Sequence, residues 1–185
     1  GIKGAEKKDD TILYAGRLVP QKNVDLLIRA FSILNQEKVE LEIIGEGAEK
    51  PRLVKLAGSL GVKKQVKFLR PYKSHKDLIK SIKSATLLVL PSRRENFGIV
   101  PLESMRCETA VISTATDGPK DYIKNGTNGF LTEIGNEKML ANKMQVLLDD
   151  KKLRRKLEAS AKKTAEYYDW DKIVKRIARE YKVLG

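Results

Sequence analysis

The chain has 185 residues, 37 Lys and Arg against 24 Asp and Glu, a net charge of +13 and 41% hydrophobic residues. This suits one packed globular domain and excludes a disordered chain, because apolar runs such as TLLVL can offset the entropy of ordering. Single Cys107 and single His75 exclude an internal disulfide, a cysteine cage and a multi-histidine metal site.

The chain opens at Gly1 without an initiator methionine, and residues 1–10 are charged and lack the apolar core of a signal peptide. They are expected to be a linker remnant of a longer protein. TILYAG reads as the first strand. Val24, Leu27, Ile28, Phe31 and Leu34 then recur at spacings of three and four, which predicts a helix with one apolar face. VELEIIG is the second strand. The GEGAEK that follows holds Gly45 and Gly47 but no third glycine, so it is read as a simple tight turn. A helix is expected from Glu49 to Leu60, stopped by Gly61, and VKFL is a third strand.

After Pro71, Ser74 and Asp77 stand three apart, the spacing of a capping box at a helix start. His75 lies inside that cap and is read as a solvated first-turn residue with no role. TLLVLP, AVIST and GFLTE are three more strands. Between the last two, DGPKDYIKNGTNGFL carries Gly118, Gly126 and Gly129, the latter two read as turn residues. From Asn136 the strands stop and three helical segments are expected, with Leu140, Met144, Leu147 and Leu148 on one face of the first. The Lys- and Arg-rich stretch from Lys151 is read as a solvated helix face. Strands alternating with helices predict βαβ units and a mostly parallel sheet.

No apolar stretch approaches the roughly 20 residues that cross a bilayer, so a cytoplasmic protein is expected. The excess of positive charge predicts an anionic partner: nucleic acid, a lipid surface or a phosphorylated small molecule. In an open parallel sheet, ligands sit beyond the carboxyl ends of the strands, and two loops there are chemically loaded. In GRLVPQK, Gly16 permits close backbone approach, and Arg17 and Lys22 supply the two cations that suit a diphosphate. PSRRENFGIVPLE runs from a strand end through Glu95 and Gly98 into a helix with Pro101 in its first turn. The backbone N–H groups of Ile99 and Val100 are then free to receive a phosphate. Glu103 lies one turn inside, where a carboxylate can read sugar hydroxyls. A glycosidase acid/base pair is the weaker reading of Glu95 and Glu103, since that chemistry wants both carboxylates flanking one bond in a deeper cleft. No GxxxxGK(S/T) stretch supports a P-loop triphosphatase.

Together GRLVPQKNVDLLI, LPSRRENFGIVPLESM, GPKDYIKNGTNGFL and YDWDKIV resemble the C-terminal, donor-binding domain of GT-B glycosyltransferases of the retaining, glycogen- and sucrose-synthase-like group 1 family. The resemblance implies a Rossmann-like α/β three-layer sandwich with about six parallel strands, residues 136–185 as C-terminal helices, and one domain over residues 1–185. It implies that Gly16, Arg17, Lys22, Gly98, Ile99 and Val100 hold the diphosphate of a nucleotide sugar, a UDP-sugar above all. Glu103 then binds the ribose, Phe97 lines the transferred sugar and Glu95 is the catalytic residue. No metal and no further cofactor are implied. An N-terminal domain absent from this chain would hold the acceptor, so the fragment is expected to bind donor without transferring sugar.

The family commonly writes EAMAxGxPV where this chain has ESMRCETAV, with Arg106, Glu108 and Ala110 in place of small residues or proline, which leaves the turn after the helix open. Cys107 is read there as a small hydrophobe. Arg70 replaces a frequent glycine after the third strand, near the nucleobase. A nucleic-acid-binding module is the alternative reading of the charge, but at 6% aromatic residues the sequence shows no interleaved base-stacking platform, and no nucleic acid is expected. Peripheral contact of the basic C-terminal helices with an anionic membrane is a further expectation.

Overall fold

The structure, a computed structural model, describes residues 10–34 and 36–168. Residues 1–9 of the expected linker and the third C-terminal helical segment lie outside them. Six strands form one all-parallel sheet: β1 (Thr11–Ala15), β2 (Glu40–Ile44), β3 (Val66–Leu69), β4 (Leu87–Leu90), β5 (Ala110–Thr114) and β6 (Phe130–Thr132). Their order across the sheet is β3-β2-β1-β4-β5-β6. The chain works outward from β1 to one edge, returns to β4 beside β1, and works outward to the other edge. The crevice beyond β1 and β4 is therefore the point where connections diverge, the place such sheets use for ligands.

Seven helices complete the described residues: α1 (Val24–Ile33), α2 (Lys50–Ser59), α3 (His75–Ser84), α4 (Ile99–Arg106), α5 (Asp117–Tyr122), α6 (Glu137–Asp149) and α7 (Lys151–Tyr167). Successive strand side chains point to opposite faces, so the sheet feeds two cores. Ile12 and Tyr14 of β1, Leu41 and Ile43 of β2 and Ile112 of β5 pack with Leu27, Phe31, Leu53, Leu140 and Met144 from α1, α2 and α6. Their neighbours Leu13, Ala15, Ile44 and Val111 pack with Ile82, Met105 and Tyr122 from α3, α4 and α5. This is the expected Rossmann-like three-layer sandwich.

Helix α7 crosses between the layers: Leu157 joins the first core, and Ala161 and Ala165 join the second, against α4. The basic stretch is therefore not solvated throughout. Arg154 is buried and its Nη1 donates to the carbonyls of Leu147 (2.7 Å) and Leu148 (3.3 Å), satisfying the open end of α6. Leu140, Met144 and Leu147 face the core as expected, and Leu148 packs at its margin.

One local expectation is corrected, and one local question left open is answered. Ser74 does cap α3, but it accepts from the Lys76 N–H at 3.1 Å, while the Asp77 carboxylate takes Lys80 at 3.1 Å, so no reciprocal capping box forms. The turn after α4 survives without glycine, because Glu108 itself takes the left-handed conformation, φ 56°. That region costs a residue with a Cβ roughly 1–2 kcal/mol.

Candidate functional site

The loops leaving β1 and β4 are stitched together. A short 3-10 turn over Pro20–Lys22 ends at Asn23, whose left-handed backbone (φ 54°) turns the chain into α1. The buried Asn23 side chain donates to the Pro91 carbonyl at 3.3 Å and accepts from Arg93 Nε at 3.0 Å, while the Arg93 N–H donates to the Gln21 carbonyl at 2.9 Å. Lys22 forms an ion pair with Glu95 across the gap, both side chains largely withdrawn from solvent at 18% and 16% exposure.

Two buried tyrosines brace these loops from below. Tyr14 on β1 donates its hydroxyl to the Arg17 carbonyl at 2.9 Å, and Tyr122 on α5 donates to the Gly98 carbonyl at 2.8 Å. Burial, reinforced by the Glu95 charge, holds both phenols protonated well above their ordinary range. The glycines fit this bracing. A Cβ on Gly16 would lie 2.9 Å from the Tyr14 hydroxyl, and one on Gly98, itself left-handed at φ 78°, would lie 2.7 Å from the Tyr122 hydroxyl.

Gly98 ends the loop and α4 begins. The N–H groups of Ile99 and Val100, at the first two positions of the helix, have no acceptor among the described residues. They open onto a cleft of about 420 Å³ lined by Gly16, Arg17, Lys22, Glu95, Phe97 and Gly98, among others. A helix N-terminus and an exposed guanidinium thus converge on one volume with the Lys22 ammonium, whose charge the paired Glu95 carboxylate offsets, and the balance is that of an anion seat. Phe97 is 42% exposed at this cleft while its ring packs edge-to-face with Tyr122, ring centroids 6.1 Å apart, and with Tyr168, 6.4 Å apart.

A second cleft of about 450 Å³ shares Ala15, Gly16, Arg17 and Val100 with the first and continues toward the ends of β2 and β3. Ile44, Gly45, Glu46, Tyr72, His75 and Leu78 contribute to its walls. Arg70 is exposed and stands outside its lining. The predicted site residues are therefore brought together with one exception. Glu103 lines neither cleft, and its carboxylate meets this second one through His75, whose Nε2 lies 2.5 Å from Glu103 Oε1. The reading of His75 as a residue without a role missed this contact, which 28 residues of intervening chain hide from local spacing.

GEGAEK is more than a simple turn. A Cβ on Gly45 would fall 1.9 Å from the Gly16 carbonyl oxygen, and one on Gly47 would fall 2.2 Å from that of Leu18. The two glycines let the β1 and β2 loops run backbone against backbone, held by the Leu18 N–H to Glu46 carbonyl bond of 2.8 Å. Gly118 does the same for the other loop: a Cβ there would fall 2.4 Å from Phe97 Cα, and its N–H donates to the Glu95 carbonyl at 3.1 Å. Gly126 is a left-handed turn residue as read (φ 74°), whereas Gly129 is packed so that a Cβ would lie 2.8 Å from Val111 Cγ1. Cys107 is partly buried against the second core, and burial pushes its thiol up from the ordinary value, opposite to what a nucleophile needs. Among the described residues no group of three His, Cys, Asp or Glu side chains could hold a metal ion, and no helix is long and apolar enough to cross a membrane.

The family model for "Glycosyl transferases group 1" matches residues 2–164 of this chain. The chain belongs to that glycosyltransferase family. An uncharacterised glycosyltransferase of Methanocaldococcus jannaschii is 36% identical over 182 residues, covering 97% of this chain and 46% of that protein. The group 1 domain thus spans about half the length of the curated relatives it matches. Among solved structures, the HepE protein of Anabaena in complex with UDP and glucose superposes with a TM-score of 0.86 at 25% identity, over 95% of this chain and 48% of that one. The C-terminal domain of a glycosyl transferase group 1 family protein from Francisella tularensis shares the fold with a TM-score of 0.79 at 24% identity, covering 87% of this chain and 86% of that domain. The domain has the fold of the C-terminal domain of GT-B glycosyltransferases of group 1.

Proposed function

We propose that this domain binds a nucleoside-diphosphate sugar, a UDP-sugar foremost, as the donor half of a retaining hexosyltransferase. The observation that carries the reading is the convergence of Arg17, Lys22 and the free N–H groups of Ile99 and Val100 on one cleft at the point where the sheet's connections diverge. A diphosphate fits that seat. Glu103 takes the ribose hydroxyls from the adjoining cleft, and Phe97 with Glu95 and Gly98 borders the sugar. The relative solved with UDP and glucose supports the same ligand class.

The chemistry follows from the electrostatics. When the bond between the sugar C1 and the phosphate oxygen breaks, the leaving diphosphate gains negative charge, and the cations with the helix N-terminus stabilise it where it forms. By resemblance, the acceptor oxygen bonds to C1 on the same face, and its proton passes to a leaving phosphate oxygen, so configuration is retained. Glu95, close to both Lys22 and the sugar end of the cleft, is the catalytic residue of this scheme. The acceptor site belongs to an N-terminal domain outside this chain, so the isolated domain binds donor and transfers nothing.

The test is calorimetric titration of the domain with UDP, ADP, GDP and their glucose conjugates, beside Glu103→Ala and Lys22→Ala. Saturable binding of one nucleotide, weakened at least roughly tenfold in each variant, is expected. Silence of the wild-type domain toward all of them, or full affinity in both variants, would refute the donor assignment.

A further inference from the structure

Glu103 stands on the second turn of α4 with no lysine or arginine partner among the described residues. Its side chain is only 18% exposed, and the one contact the structure gives its carboxylate is the imidazole of His75. His75 is the first residue of α3, and Ser74 fixes the start of that helix by capping the Lys76 N–H. Helices α3 and α4 are neighbours on the same face of the sheet. The His75 side chain is 69% exposed and forms part of the wall of the second cleft, which Gly16 and Gly45 also line.

A glutamate has three side-chain torsions, and a free carboxylate samples several orientations, each diluting the one that can receive a sugar diol. The His75 contact at 2.5 Å engages Oε1 alone. Oε2 has no hydrogen-bond partner among the described residues, so one oxygen is anchored and the other is available. Because His75 and not Glu103 forms the wall of the second cleft, vicinal hydroxyls bound there would reach Oε2 beside the imidazole that anchors Oε1.

We infer that His75 is a positioning residue that orients Glu103 for the ribose diol, so that preference for ribonucleotides over deoxyribonucleotides depends on a side chain of α3. This rests on the donor-site reading above. The chemistry that His75 controls is recognition of cis hydroxyls on a nucleoside diphosphate, whichever base it carries.

The experiment measures calorimetric affinities of UDP, ADP and GDP, and then of the 2′,3′-dideoxy form of the nucleotide that binds, for wild type, His75→Ala, His75→Gln and Glu103→Gln. His75→Ala should lose about three- to tenfold in affinity for the ribonucleotide, with little change for the dideoxynucleotide. His75→Gln, which keeps a donor, should recover most of the loss, and His75→Ala should add nothing in a Glu103→Gln background. An equal loss on both ligands would mean that His75 merely shapes the wall, and a tighter ribonucleotide in His75→Ala would mean that it competes for Glu103. Either result overturns the inference while leaving the donor reading intact. If no nucleotide binds wild type, the donor reading fails and this inference falls with it.

Discussion

The hydroxyl of Tyr122 donates to the carbonyl of Gly98 across 2.8 Å, tying a fully buried residue of α5 to the residue from which α4 starts. The direction in which α4 offers its first N–H groups is thereby coupled to the second core. Gly118, four residues before Tyr122, packs against the same loop at Phe97.

Disturbing this brace should change the site before it changes the fold. Tyr122→Phe removes the donor to a buried carbonyl and should cost about 1 kcal/mol of stability by urea denaturation. Gly118→Ala places a methyl 2.4 Å from Phe97 Cα and 2.6 Å from the Asn96 carbonyl oxygen, so the loop must move away. Gly118→Ala should therefore weaken nucleotide-sugar affinity by roughly tenfold or more while the far-ultraviolet circular dichroism stays native. Wild-type affinity in Gly118→Ala would show that the loop adapts without consequence.

The Lys22–Glu95 pair makes two opposite predictions. Lys22→Ala deletes a cation from the cleft and should weaken binding of a nucleoside diphosphate. Glu95→Gln removes the neutralising charge and frees Lys22, so it should bind the bare diphosphate about three- to tenfold more tightly. Calorimetry at low and high salt separates the two, the Glu95→Gln gain shrinking as salt rises. A loss of affinity in Glu95→Gln would mean that the pair is needed to hold Lys22 in place.

Glu108 is in the left-handed region where a glycine carries no penalty. Its contact with Lys162, at 2.7 Å, lies on the exposed surface and is screened by solvent. Glu108→Gly should raise stability by about 0.5–1 kcal/mol, read as a higher denaturation midpoint. Glu108→Ala keeps the strain and should give no such gain.

The two phenols set an alkaline limit. Tyr14 and Tyr122 have an ordinary value of 10.0, raised in the folded state mainly by burial and secondarily by Glu95. Below pH 10 both states hold these protons and the stabilising contribution is complete. Above it the unfolded chain ionises while the folded one does not, so stability falls as pH rises toward the folded values, by about 1.4 kcal/mol per pH unit per tyrosine. Denaturant titrations between pH 9 and 11.5 should show this slope, and Tyr14→Phe or Tyr122→Phe should each reduce it. An unchanged slope in both variants would assign the loss to other groups.

The expected strands all occur, within a residue or two at the ends, because a parallel sheet covered on both faces buries nearly every side chain of its central strands, which leaves short, nearly continuous runs of β-branched and aliphatic residues in the chain itself. The loops were equally readable: Gly16, Arg17 and Lys22, and then Glu95 through Val100, all border one cleft. Gly45, Gly47 and Gly118 were not, since nothing in their own neighbourhood announces that another loop's backbone will run within 2.6 Å of where a Cβ would sit. Arg154 was misread as solvated because its partners are carbonyls at the end of α6, groups that every sequence has and none displays.

The parallel α/β architecture, the two glycine-bearing loops at strand ends and the family were legible in the chain, since each depends on residues close together along it. It took the folded chain to show that Lys22 meets Glu95, 73 residues away, that His75 contacts Glu103, and that two buried tyrosines hydrogen-bond the carbonyls of Arg17 and Gly98 in these loops. The physical reason is that a hydrogen bond or ion pair is decided by the separation of two groups in space, and the packing of helices on the sheet, not spacing along the chain, sets that separation.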